Sequence, residues 1–157
     1  MPSFFTEEEA SESRLGSQAL AFAGHTATAL LAWIALMAVG YALNPIGVPH
    51  LAILCASLLF SLLVGMVVVK LWRSEMATAV WLLGLIWFLI VALYILDMPT
   101  GPNQCNQCDA AEKLTRSLFS YPRPSGLLDD DAPFLATWPA FALLGYSIGA
   151  RLSLGKK

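Results

Sequence analysis

The chain has 157 residues, 57% of them hydrophobic and 13% charged, with a formal net charge of −2. Soluble domains carry about 25% charged residues, so this composition belongs to a protein whose solvent is lipid, and the length leaves room for one compact unit. A slightly acidic balance offers no basic surface to a polyanion, which argues against a nucleic-acid partner.

The leader, residues 1–18, sets Glu7, Glu8, Glu9 and Glu12 against Arg14. Thr6 followed by Glu9 fits a capping box, with Phe5 and Ala10 placed as a hydrophobic staple, so a short cytoplasmic surface helix is expected there. Residues 19–43 hold no formal charge. At ~1.5 Å per residue they are long enough to cross a hydrocarbon layer of ~30 Å. An acidic leader lacks the basic start of a secretory signal, so this stretch reads as a retained span.

Asn44, Pro45, Gly47 and Pro49 then make a tight hairpin, and residues 50–69 form a second apolar run that ends at Lys70. The polar island of Lys70, Arg73, Ser74 and Glu75 separates it from a third run, residues 77–96, which stops at Asp97, Pro99, Gly101 and Pro102. A fourth run, 134–150, has seventeen residues with Pro139 inside it and sits at the lower limit for crossing. The expected fold is therefore all-α: an integral membrane four-helix bundle over 19–154 with a three-residue tail, 155–157. An outer loop, 97–133, carries a short helix over about 109–120.

Four spans place the leader, the 70–76 island and the tail on one side with six Lys and Arg (Arg14, Lys70, Arg73, Arg151, Lys156, Lys157). The other side has three, Lys113, Arg116 and Arg123. Positive charge favours the cytoplasm, so both termini are expected inside a multi-pass protein of the inner (plasma) membrane. Trp72 and Trp81 fall near the inner boundary and Tyr41, Tyr94 and Trp138 near the outer one, whereas Trp33 and Trp87 lie deeper and are available to lipid or a partner.

Apolar burial does not join helices in lipid, so small residues mark close approach. Gly24, Thr28 and Ala32 in the first span, Ser57, Ser61 and Gly65 in the second, and Gly145 and Gly149 in the fourth are the expected packing stripes. The third span, with Trp81, Leu82, Leu85, Trp87, Phe88 and Leu89, is bulkier and faces lipid or other subunits.

Cys105 and Cys108 stand three apart in the outer loop, on the oxidising side. The pair reads in three ways: a structural disulfide, a redox pair activated by the helix that follows, or half of a metal site. Asp97, Asp109 and Glu112 nearby oppose thiolate formation. The layout resembles the membrane thiol:quinone oxidoreductases, four-helix proteins with both ends inside and cysteine pairs in their outer loops. That resemblance implies a quinone as electron acceptor. Those enzymes use two communicating pairs; here the first outer loop, 44–49, has no cysteine, and Cys55 lies within the second span.

His25 and His50 differ in depth by roughly 20 Å on this layout, too far to ligate one haem iron. His25 is the ionisable group inside a span and so a functional candidate; its simpler role is a neutral ring bonded to a carbonyl or to a hydroxyl such as Thr26 or Thr28. His50, Met98, Cys105 and Cys108 together offer the imidazole, thioether and thiolate donors that suit copper at the outer face. The Asp129 to Asp131 run reads as a solvated cap before the fourth span. There is no chain of carboxylates across the spans, no Gly-rich phosphate loop and no metalloprotease helix motif.

The leading expectation is a non-catalytic accessory or assembly subunit of a larger membrane complex, for which a bioenergetic one is the reference case, with lipids and other integral membrane subunits as partners. The alternatives are a quinone-linked thiol oxidoreductase at Cys105 and Cys108, and copper handling at the outer face. No cofactor follows from the sequence.

Overall fold

The computed structural model describes residues 5–42, 47–97, 109–119 and 133–155. These form five α-helices and, among the described residues, no strand: α1 (Phe5–Ala42), α2 (His50–Leu71), α3 (Trp81–Asp97), α4 (Ala110–Leu118) and α5 (Trp138–Leu154). A 3₁₀ turn, Glu75–Ala79, leads into α3, and a single wide π-type turn, Pro133–Thr137, leads into α5. Three stretches are long and apolar enough to cross a membrane, Glu12–Ala42, His50–Leu71 and Glu75–Asp97.

The first helix departs from the expected division into leader and span. Its 38 residues run unbroken from Phe5, so Thr6 lies inside the helix instead of capping it. From Phe5 on, the Ser- and Glu-rich leader is polar but contains no proline, its Ala and Glu residues are good helix formers, and Gly16 alone weakens the helix. Hydropathy changes at residue 19 while the backbone preference does not. At ~1.5 Å per residue α1 is about 57 Å long, nearly twice a hydrocarbon layer of ~30 Å, and residues 12–20 are all exposed.

Between α1 and α2, Gly47 adopts φ +69°, a left-handed conformation that glycine enters without a Cβ clash. Pro49, with φ −68° and ψ 147°, then sets the extended entry into α2. At the far end the Trp72 N–H returns to the Val68 carbonyl, and Ser74 accepts from the Met76 N–H to start the 3₁₀ turn.

Helix α3 is tied at both ends by other elements. The Trp81 N–H donates to Ser147 Oγ of α5 at 2.8 Å, and Lys113 Nζ of α4 donates to the Leu96 carbonyl at 3.1 Å. Each contact satisfies a backbone group that a helix terminus leaves open. Helix α4 begins at Asp109, whose carboxylate accepts from the Glu112 N–H, and it turns Leu114 and Leu118 toward Ile95 and Ala136.

Pro139 does not kink the last helix, because it sits in the helix's first turn, where a missing N–H costs least. The carbonyl four residues earlier, on Leu135, thereby loses its intrahelical donor. Trp87 Nε1 of α3 donates to that carbonyl instead. The indole of a neighbouring helix thus satisfies the group that the proline strands.

Helix α5 is the axis of the packing. It contacts α1, α2 and α3, and nine of its seventeen residues are buried, whereas only Gly84 and Ile95 are buried in α3. Helices α2 and α5 run parallel in a constant register. Gly145 lies on the Leu58 carbonyl, Gly149 on the Leu62 carbonyl, and Ser153 Oγ donates to the Met66 carbonyl at 3.2 Å. From the other side Gly65 lies on the Tyr146 carbonyl. A Cβ at any of these three glycines would collide with backbone, so the seam requires them. Such close approach gains dispersion and Cα–H···O contacts along its length, the interactions that join helices where no apolar burial from water is on offer.

Candidate functional site

The two buried imidazoles lie at opposite ends of α2. At its C-terminal end, His25 of α1 is fully buried, with Nδ1 2.7 Å from Tyr146 Oη. The hydroxyl donates when Nε2 carries the ring proton. The imidazole stacks on the Trp72 indole, ring centres 4.5 Å apart and planes within 21°. Nε2 is enclosed, with the Trp72 backbone nearby but no acceptor in hydrogen-bond geometry among the described residues. Gly24 makes room for this arrangement, since a Cβ there would strike the Trp72 ring. Helices α1 and α5 and the end of α2 therefore meet in one aromatic cluster.

At the opposite end of α2, His50 is also fully buried, with its ring centre 5.4 Å from that of Trp138. Met37, Ile53 and Leu54 complete that cluster, with Trp33 packed against it. His50 opens α2 and His25 lies against the residue that closes it, so the two imidazoles share no site.

The expected partner of His25 is a carbonyl or a nearby hydroxyl such as Thr26 or Thr28; the structure supplies a hydroxyl 121 residues away. Thr28 donates back to the Gly24 carbonyl of its own helix at 2.8 Å, and Thr26 Oγ is buried without a partner among the described residues. On α1 the buried described residues are His25, Thr26, Ala29 and Met37, and His25 and Ala29 stand one residue on from the stripe of Gly24, Thr28 and Ala32, which lies half-buried beside them. On α2, Ser57, Ser61 and Gly65 are all buried in one row. Their hydroxyls have no hydrogen-bond partner among the described residues.

Cys105, Cys108 and Met98 lie outside the described residues, as do Asp129 to Asp131. Of the soft-metal set proposed at the outer face only His50 is described, and it is turned into apolar packing. No group of three or more His, Cys, Asp or Glu side chains is placed to hold a metal ion among the described residues. Cys55 is a free thiol on the exposed face of α2.

Two concavities are lined by described residues. A groove of about 270 Å³ runs between α3 and α5, walled by Trp81, Leu85, Phe88, Phe141 and Leu144. A second, of about 180 Å³, lies between the C-terminal ends of α2 and α5 and is lined by Val69, Lys70, Arg73, Ser153 and Leu154.

Sequence reasoning missed Tyr146 and Trp72 as partners of His25 and Trp138 as the partner of His50. Tyr146 carried one signal, being a large polar aromatic between two packing glycines, where its ring must leave the seam and its hydroxyl must find a partner. Comparison with family models, with curated proteins and with solved structures finds no match to this chain.

Proposed function

We propose that the chain is a four-span protein of the inner membrane with both termini cytoplasmic, and that it serves as a non-catalytic accessory or assembly subunit of a larger membrane complex. In this reading α5 is the fourth span, a short helix enclosed by the three apolar ones, and the loop between α3 and α4 faces outward. The excess of Lys and Arg on the side of Arg14, Lys70, Arg73 and Arg151 supports that orientation.

The observation that carries the subunit reading is the extension of α1. About half of this helix exceeds what a bilayer can cover, and from residue 12 to residue 20 its described side chains are all exposed. An exposed arm has little of the tertiary packing from which most helical stability in proteins comes. With Glu7, Glu8, Glu9 and Glu12 along it, the arm suits a basic cytoplasmic face of another subunit. The exposed mid-span aromatics of α3, Trp87 among them, offer a second contact within the membrane.

The test is the mass of the tagged chain solubilised in mild detergent, measured with the native arm and with Glu7, Glu8, Glu9 and Glu12 all replaced by Lys. A stoichiometric complex that the replacement dissolves supports the reading. A bare monomer from both overturns it.

A further inference from the structure

We infer that the cavity between the C-terminal ends of α2 and α5 is a binding site for the phosphate of an anionic phospholipid. Lys70 and Arg73 stand at its rim, Val69 and Leu154 form its apolar walls, and Ser153 closes it, with its hydroxyl already donated to the Met66 carbonyl. Neither cation has an ion pair among the described residues. Two cations converging on one cavity differ from cations that merely snorkel to the surface, which would diverge toward separate water. The depth fits as well, because Lys70 is the first charge after the uncharged run 50–69 and therefore stands at headgroup level.

The shared chemistry is a phosphate mono-anion, and the walls decide its source. A phosphodiester joined to acyl chains uses Val69 and Leu154 together with the cations, whereas free phosphate leaves both apolar walls in water. Among the described residues the other charges at this level are Glu75, on the turn after α2, and Arg151, on α5; both are exposed and neither lines the cavity. This inference rests on the membrane placement of α2 and α5 and not on the subunit reading, so the purified chain alone tests it.

The experiment is native mass spectrometry of the full chain in detergent, with phosphatidylglycerol or phosphatidylcholine added at equal concentration, in the presence and absence of millimolar inorganic phosphate. The chain should retain phosphatidylglycerol preferentially. The double variant Lys70→Gln, Arg73→Gln should lower that retention by about tenfold or more, the combined effect of two cations at a lipid surface. Leu154→Trp, which fills the cavity and keeps both charges, should lower it too, and Lys113→Gln should not. If the double variant fails to fold, Leu154→Trp decides. Equal retention of the two lipids, undiminished phosphatidylglycerol in Leu154→Trp, or complete displacement by inorganic phosphate would each overturn the site.

Discussion

Replacing Trp87 by Phe keeps a ring of similar shape on α3 and removes the indole N–H that the Leu135 carbonyl accepts. Trp87 is 42% exposed, so the packing lost is small and the effect is dominated by the carbonyl. The bond is exposed on the chain's surface, so the loss is that of an interhelical hydrogen bond in lipid, which averages ~0.6 kcal/mol and reaches about 1–2 kcal/mol in model peptides. The expected loss is therefore about 1 kcal/mol. Pro139→Ala restores an N–H at the position whose helical partner is that same carbonyl. In the Pro139→Ala background Trp87→Phe should then cost little, and the two changes should show a coupling of about 1 kcal/mol, within the range for residues that share a partner. Unfolding of the four proteins in mixed micelles, followed by circular dichroism, measures the cycle. Equal cost of Trp87→Phe in both backgrounds would refute the argument that the indole substitutes for the missing proline N–H.

Three further outcomes follow from the packing. Gly149→Ala places a methyl on the Leu62 carbonyl and should destabilise by roughly 1–3 kcal/mol, the usual cost of overpacking; Gly40→Ala, in the open on α1, should instead stabilise by about 0.5–1 kcal/mol. The same micelle unfolding assay reads both, and similar values would show that the α2–α5 seam is looser than described. Tyr146→Phe leaves His25 Nδ1 without its partner and should cost about 1 kcal/mol, with tryptophan fluorescence reporting the change around Trp72; no change in either would mean that the 2.7 Å contact contributes nothing. Thiol labelling of Cys55 by maleimides should fail in the membrane and proceed after denaturation in detergent, since the thiol is exposed on the apolar face of α2, where hydrocarbon suppresses the reactive thiolate; labelling of the native protein by an impermeant maleimide would place that face in water.

The second and third spans were legible because Lys70 and Asp97 end uncharged runs, and a charge is the strongest signal that a chain is leaving hydrocarbon. The full length of α1 was not, since hydropathy marks where a helix enters the membrane and says nothing of where the helix begins. The fourth run looked weakest for a related reason. A helix surrounded by others needs small residues for contact more than large apolar ones for lipid, and Gly145, Gly149, Ala142 and Ala150 lower its hydropathy while making it the packing axis. Pro139 looked like an interruption because its place in the first helical turn depends on where the preceding π-type turn ends, which the spacing of residues does not fix. At the candidate site, His25 stood out as an ionisable group in an apolar run, but its link to Tyr146 spans 121 residues, and such pairings are set by tertiary register alone.

The placement of α5 as an enclosed fourth span is the claim on which orientation, loop sidedness and the role of the α1 arm all depend. Single cysteines at Arg14, Lys113 and Gly155, in a chain with Cys55, Cys105 and Cys108 replaced by Ser, test it through labelling by an impermeant maleimide from each face of the membrane. Lys113→Cys should react only from outside, and Arg14→Cys and Gly155→Cys only from inside. Labelling of Lys113→Cys and Gly155→Cys from the same face would contradict the account, because α5 would then not cross.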